Sequence, residues 1–161
     1  VVGDFDAMFL EGIRLFRKFG KCATIKVPCT PDGLRACREL ARDLVNVNVT
    51  LIFSPAQAIL AAKAGAKYVS PFVGRVDDNS FDGIDLVDQI SDIYTIQNIR
   101  KTEILAASVR DVKTVSDAFG AGAHVVTMPP AILGKMYNHV LTDRGLYQFD
   151  IDWANVKREV K

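Results

Sequence analysis

Segment 23–31 has the sequence Ala23-Thr24-Ile25-Lys26-Val27-Pro28-Cys29-Thr30-Pro31, which joins a strand pattern to a helix start. The apolar, β-branched run at 23–27 predicts a buried strand, and the proline at position 28 marks its end. A threonine followed by proline is a typical helix start, because the hydroxyl accepts a hydrogen bond from a free amide and proline suits the first helical position. The segment therefore predicts one strand–helix unit.

The same unit repeats along the chain. Ser54 followed by Pro55 is a second helix start of this kind, and a helix is predicted earlier, at Asp6–Phe19. Strand patterns alternate with these helical segments at Ala23–Val27, Val45–Thr50, Lys67–Ser70, Glu103–Ser108 and His124–Met128. Alternation of this kind predicts an α/β fold with parallel strands and helical crossovers.

Two parallel architectures fit the pattern. One is a doubly wound sheet of five strands, and the other is part of a (β/α)8 barrel, which normally takes about 250 residues. In both, ligands bind at the carboxyl ends of the strands. Polar residues stand at that end of every predicted strand: Lys26, Thr50, Ser70, Ser108 and Thr127. Polar strand ends also serve as caps, so this pattern favours one shared site without establishing it.

Composition narrows the function classes. The 161 residues carry a net charge of +1 and 49% are hydrophobic, which predicts a single domain at 1–161 with a full core. This balance gives no case for nucleic-acid or membrane-surface binding, and no apolar stretch approaches the length of a membrane span. Cys22, Cys29 and Cys37 lack metal-ligand spacing and are interpreted as reduced thiols of a cytoplasmic protein. His124 and His139 lack such spacing as well.

Lys26 is the strongest chemical candidate, since its ammonium falls within a strand that is predicted to be buried. Desolvation disfavours the charged form of lysine, and a neutral lysine is a nucleophile that forms a Schiff base with a carbonyl. The alternative is a strand-end lysine whose side chain extends into solvent.

Several ordered stretches closely resemble the transaldolase family, specifically its short-chain branch, which also contains the fructose-6-phosphate aldolases. They are Ile25-Lys26-Val27-Pro28-Cys29-Thr30-Pro31-Asp32-Gly33-Leu34, Asn48-Val49-Thr50-Leu51-Ile52-Phe53-Ser54, Ser70-Pro71-Phe72-Val73-Gly74-Arg75, Ala106-Ala107-Ser108-Val109-Arg110 and Leu141-Thr142-Asp143-Arg144-Gly145. The resemblance covers essentially the whole chain. It implies a (β/α)8 TIM barrel of the class I aldolase type, here incomplete, with about five of the eight strands and beginning at the fourth.

The resemblance also implies residue roles. Lys26 matches the family's Schiff-base lysine, and no metal or organic cofactor is required by that chemistry. Thr50 matches the threonine that positions a water for proton transfer, although a β-branched residue also suits a strand. Asn48, two residues earlier on the same face, matches an asparagine that hydrogen-bonds substrate hydroxyls, or else satisfies backbone groups.

Other matching residues concern the substrate's phosphate and the type of reaction. Arg75 and Ser108 match the phosphate-binding pair, with Arg110 and Ser70 as further candidates. Phe72 resembles the phenylalanine of the family's transaldolases, whereas its fructose-6-phosphate aldolases have tyrosine, an acid/base group, there. Phe72 is also consistent with a core residue.

The implied function is transfer of a dihydroxyacetone unit between ketose and aldose phosphates in the pentose phosphate pathway. The expected partners are fructose 6-phosphate, sedoheptulose 7-phosphate, erythrose 4-phosphate and glyceraldehyde 3-phosphate. The alternatives are an aldolase-type lyase and a catalytically impaired, truncated homologue that binds sugar phosphate or assembles with other subunits. A homo-oligomer is expected, with Trp153 on a C-terminal segment that packs across a subunit boundary or within the chain.

Overall fold

The structure is a computed structural model that describes residues 3–159, with side chains described as far as residue 156. The chain divides after Met128 into two units. The first unit contains a sheet of parallel strands, β1 (Thr24–Pro28), β2 (Asn46–Ile52), β3 (Tyr68–Pro71), β4 (Glu103–Ala106) and β5 (Val125–Val126). Its helices are α1 (Phe5–Phe19), α2 (Pro31–Arg42), α3 (Pro55–Lys63), α4 (Val73–Asp78), α5 (Gly83–Ile96) and α6 (Val112–Gly120).

The order of the strands distinguishes the two predicted architectures. The five strands lie side by side in chain order, each parallel to the next. A doubly wound sheet reverses its strand order at a switch point, whereas a barrel adds each strand beside the last. The described residues therefore form part of a (β/α)8 barrel, as predicted, and the doubly wound alternative is wrong.

Side-chain hydroxyls and carboxylates fix the helix starts. Thr30 Oγ1 accepts a hydrogen bond from the Gly33 amide at 3.1 Å, and Ser54 Oγ accepts one from Gln57 N at 3.3 Å. Both helix starts predicted from Thr-Pro and Ser-Pro are thus confirmed, with proline in the first turn of each helix. Aspartate at position 4 caps α1 in the same way, so that helix starts at Phe5, one residue before the predicted position.

The core lies between the sheet and the helices. A row of fully buried residues crosses the sheet in register at Val27, Val49, Val69 and Ile104. The helices pack against this face of the sheet. Burying each such side chain stabilises the fold by about 1.5–3 kcal/mol, so the row holds neighbouring strands in one register. Because side chains alternate along a strand, the residues between them face the other side.

Three sequence predictions need correction. β4 ends at Ala106, so Ser108 lies beyond the strand, and β5 is only 2 residues long. Lys26 is exposed rather than buried. The reason is its face: Ile25 and Val27 point toward the helices and are buried, whereas Lys26 points to the opposite side of the sheet.

The second unit contains two helices, α7 (Pro130–Lys135) and α8 (Val140–Glu159). Helix α8 carries many exposed apolar side chains, among them Trp153, which is 61% exposed. Along residues 3–159, no helix is both long enough and apolar enough to cross a lipid bilayer.

Candidate active site

The register of the sheet places the predicted residues on one face. Lys26 pairs with Asn48, and Asn48 pairs with Tyr68, so these side chains form a row across β1, β2 and β3. Thr50 pairs with Pro28, two residues further along each strand, and lies on the same side as Lys26. The three predicted residues of β1 and β2 thus share the face opposite the helices, near the carboxyl ends of the strands.

Asn48 and Ser70 form a buried polar pair. Ser70 is fully buried and Asn48 is 8% exposed. The serine hydroxyl donates to Asn48 Oδ1 at 2.7 Å. Since Oδ1 is the acceptor in this bond, the amide nitrogen of Asn48 retains both of its donors. The pair therefore sets the orientation of an amide that can donate to a hydroxyl oxygen of a substrate.

Thr50 lies at an irregularity of β2. The pairing of β2 with β3 shifts register between Val49 and Ile52, and Leu51 has a φ of +61°. This is a β-bulge, a feature that re-aims side chains and is frequent beside active sites. Within the described part of the chain, Thr50 Oγ1 is buried and has no hydrogen-bond partner. A buried hydroxyl without a partner is costly, and a bound water would satisfy it.

The ring of Phe72 makes cation–π contacts with two basic side chains. Lys26 Nζ lies 5.8 Å from the ring centroid and Arg75 Cζ lies 4.8 Å from it, both within cation–π range. The ring of Phe53 packs edge-on against Phe72, at a centroid distance of 5.8 Å. Phe53 is not among the site residues predicted from the sequence. Its position between the strand pattern at Val45–Thr50 and the helix start at Ser54 was the available signal.

Ser108 and Arg110 lie in the loop after β4, close to the start of α4. Ser108 has a φ of +62°, a left-handed conformation that is uncommon for residues other than glycine and that clusters at functional sites. Gly74 permits the close approach of this loop, because a Cβ there would clash with the Ser108 carbonyl oxygen. That same Cβ would lie 3.1 Å from Arg110 Nε and 3.2 Å from Ser108 Oγ.

Arg110 forms a two-point ion pair with Asp78, the last residue of α4. Arg110 Nη1 donates to Asp78 Oδ1 at 2.5 Å, and Nη2 donates to Oδ2 at 2.6 Å. The hydrogen bond from the guanidinium holds the pKa of the Asp78 carboxyl below its usual range. Arg75 is exposed one turn earlier in α4. The structure therefore brings Ser108 and Arg110 together, and Arg75 beside Phe72.

Across residues 3–159, no group of three histidine, cysteine, aspartate or glutamate side chains could hold a metal ion. Cys22, Cys29 and Cys37 form no disulfide. His124 Nδ1 accepts a hydrogen bond from the Ile104 amide at 3.2 Å, so this ring has a local role at the start of β5.

Comparison with known sequences identifies close relatives. A family model described as Transaldolase/Fructose-6-phosphate aldolase matches residues 1–160. A protein of Nitrosopumilus maritimus (strain SCM1) named "Probable transaldolase" is 54% identical over 156 residues, covering 97% of this chain and 70% of that protein. Another of that name, from Paracoccus denitrificans (strain Pd 1222), is 53% identical over 153 residues, covering 95% and 70%. The chain thus spans about 70% of the length of these relatives.

Solved structures of low sequence identity resemble this chain in fold. A GMP reductase variant from Trypanosoma brucei in complex with guanosine 5'-monophosphate superimposes with a TM-score of 0.60 at 18% identity, over 76% of this chain and 28% of that one. A mandelate oxidase variant gives a TM-score of 0.59 at 15% identity, over 84% and 50% of the two chains. These likenesses agree with a partial barrel.

Proposed function

Because the chain belongs to the transaldolase/fructose-6-phosphate aldolase family, we propose that it is a transaldolase that acts through a Schiff base on Lys26. One observation carries the proposal: Lys26 and Arg75 lie over the same Phe72 ring. The amine and the guanidinium can be no further apart than the sum of their two distances to that ring. A sugar phosphate can span a distance within this limit, with its carbonyl at the amine of Lys26 and its phosphate at the guanidinium of Arg75.

The first half of the proposed reaction forms and uses the Schiff base. The neutral amine of Lys26 attacks the C2 carbonyl of a ketose phosphate, and loss of water leaves an iminium ion. Removal of the proton from the C4 hydroxyl then breaks the C3–C4 bond, whose electron pair moves to the iminium nitrogen. An aldose phosphate leaves, and an enamine of dihydroxyacetone stays on the lysine.

The second half transfers the dihydroxyacetone unit. The enamine carbon attacks the carbonyl of a second aldose phosphate, and the new alkoxide takes up a proton. Addition of water to the iminium then releases the ketose product and the free amine. In both halves Thr50 is proposed to hold the water that carries the proton, which its buried, unpartnered hydroxyl in the described chain supports.

The remaining residues are proposed to bind the substrate. The amide nitrogen of Asn48, oriented by Ser70, would donate to a hydroxyl oxygen of the sugar. Arg75, Ser108 and Arg110 would bind the phosphate, since guanidinium groups and hydroxyls donate strongly to its oxygens. The proposed substrates are fructose 6-phosphate, sedoheptulose 7-phosphate, erythrose 4-phosphate and glyceraldehyde 3-phosphate, within the pentose phosphate pathway of the cytoplasm.

Phe72 favours a transferase over a lyase. Phenylalanine cannot transfer a proton, so protonation of the free enamine would be slow and the unit would pass to an acceptor aldehyde. The position of the ring supports this role, because it lies against both Lys26 and Arg75. The chain would act as an aldolase-type lyase only if a group other than Phe72 protonated the enamine.

Borohydride trapping tests the proposal. Incubation with fructose 6-phosphate and sodium borohydride should leave a reduced, covalent adduct on Lys26, identified by peptide mass spectrometry. The variant Lys26→Arg should lose the adduct, whereas Lys21→Arg, which changes an exposed lysine outside the sheet, should keep it. An unchanged intact mass of the wild-type chain would refute the Schiff-base mechanism.

A second candidate function, binding of sugar phosphate without catalysis, is favoured by the exposure of Lys26. On this view the chain binds sugar phosphate through Arg75 and Ser108 without turnover, and assembly with further subunits covers the open face of the sheet. Binding of fructose 6-phosphate in a titration, without an adduct and without transfer, would favour this candidate. Light scattering on the same sample tests the proposed homo-oligomer, since a well-behaved monomer with full turnover contradicts it.

A further inference from the structure

We infer that Asp78 is a positioning residue that orients Arg110 for phosphate binding, an inference that rests on the proposed function. Asp78 ends α4, and Arg110 lies in the loop between β4 and α6. The two residues are 32 positions apart in the chain, so their ion pair joins the two elements that bear the proposed phosphate ligands. The family resemblance suggests no role for this aspartate.

The geometry of the pair decides which part of Arg110 is left for a ligand. Asp78 binds the outer edge of the guanidinium through Nη1 and Nη2. A guanidinium has five donors in a planar fork, so its side edge, formed by Nε and one remaining hydrogen of Nη2, is still available. A phosphate accepts two parallel hydrogen bonds from such an edge.

That side edge lies next to the hydroxyl of Ser108. Arg110 Nε and Ser108 Oγ are 3.1 and 3.2 Å from one common point, the place where a Cβ on Gly74 would stand. This point is not itself a ligand position, because it lies 2.2 Å from the Ser108 carbonyl oxygen, but it shows that Nε and Oγ are no further apart than the sum of their two distances to it. Two oxygens of one phosphate can accept hydrogen bonds from two donors within such a distance of each other.

The ion pair is too exposed to serve mainly as a stabilising contact. The side chains of Arg110 and Asp78 are 55% and 48% exposed, and ion pairs in that range add little to stability. An arginine side chain loses considerable rotamer freedom when a ligand fixes it, and a partner that fixes it beforehand removes part of that loss from the binding step. Asp78 therefore favours phosphate binding through geometry, against the repulsion between its own charge and the phosphate.

Titration with inorganic phosphate, followed by ³¹P NMR on the full chain, tests the inference. We expect Asp78→Ala to weaken phosphate binding by about three- to tenfold. Asp78→Asn keeps one acceptor for Arg110 and should fall between the wild type and Asp78→Ala. The matched control is Asp117→Asn, which removes the carboxylate from the exposed Lys113–Asp117 pair of α6 and should bind phosphate like the wild type.

The negative charge of Asp78 and its positioning of Arg110 predict opposite changes in phosphate affinity when Asp78 is replaced. If Asp78 acted only as a nearby negative charge, both variants would bind phosphate more tightly, and that outcome overturns the inference. Equal affinity in all variants, or no phosphate binding by the wild type, also overturns it. Urea unfolding of each variant should show unchanged stability, as expected for an exposed pair.

A parallel experiment separates this inference from the proposed function. Borohydride trapping with dihydroxyacetone, which has no phosphate, should give the Lys26 adduct equally in the wild type and in Asp78→Ala. With fructose 6-phosphate, Asp78→Ala should need a higher concentration for half-maximal trapping but reach the same maximum. Absence of any Lys26 adduct, together with weakened phosphate binding in Asp78→Ala, would refute the Schiff-base proposal and leave this inference standing.

Discussion

Replacement of Gly33 by alanine should disturb the end of β1 and, through it, the proposed catalytic lysine. Gly33 lies in the first turn of α2, where its amide donates to Thr30 Oγ1. A Cβ at this position would come well within 3.0 Å of the Pro28 carbonyl oxygen, closer than real Cβ atoms approach any heavy atom. The obstacle is backbone rather than a flexible side chain, so either the end of β1 or the start of α2 must move.

The size of the effect follows from two opposing contributions. Overpacking of this kind costs up to about 3 kcal/mol, and the higher helix propensity of alanine returns about 1 kcal/mol. The net loss of about 2 kcal/mol corresponds to a Tm lower by roughly 4–8 °C for a chain of this size. Pro28 is only two residues beyond Lys26, and a displacement of about 1 Å in a reacting group can slow a reaction by about 100-fold.

Thermal unfolding by circular dichroism and the rate of borohydride trapping together measure both effects of Gly33→Ala. The control is Gly120→Ala at the end of α6, where a Cβ would meet nothing within 4 Å. That variant should have a Tm at or above that of the wild type and an unchanged trapping rate. If Gly33→Ala melted within a degree of the wild type and formed the adduct at the same rate, a Cβ at position 33 would not disturb the end of β1.

Two further predictions concern buried polar groups. Thr50→Val keeps the shape of the side chain but removes a hydroxyl that has no partner in the described chain, so the Tm should stay equal or rise. Transfer of the dihydroxyacetone unit to an acceptor aldose phosphate should slow by about 100-fold or more, and an equal transfer rate would rule out a role in proton transfer. Burial raises the pKa of the Cys37 thiol from 9.0 to about 12, so its contribution to stability is complete below pH 9 and is lost as the pH rises toward 12. Urea unfolding between pH 8 and pH 10 should show a smaller decline for Cys37→Ala than for the wild type, and parallel declines would contradict this linkage.

Much of the fold was accessible from local patterns. Short β-branched runs located the five strands of residues 3–159, and the Thr-Pro and Ser-Pro pairs located two helix starts, because strand formation and capping depend on neighbouring residues. The resemblance to a family then favoured a barrel over a doubly wound sheet. The exposure of Lys26 was missed, since an apolar run does not tell which face of a sheet the helices cover.

The candidate site depended more on tertiary structure. The sequence determined which polar residues stand at strand ends, and the family resemblance assigned them roles. Only the folded chain brought together Ser70 with Asn48, 22 residues apart, and Arg110 with Asp78, 32 residues apart. The bulge at Leu51 and the left-handed Ser108 likewise have no local signature in these residue types. Such contacts depend on the register between strands, which is set by the buried row of β-branched side chains acting together and not by any single segment.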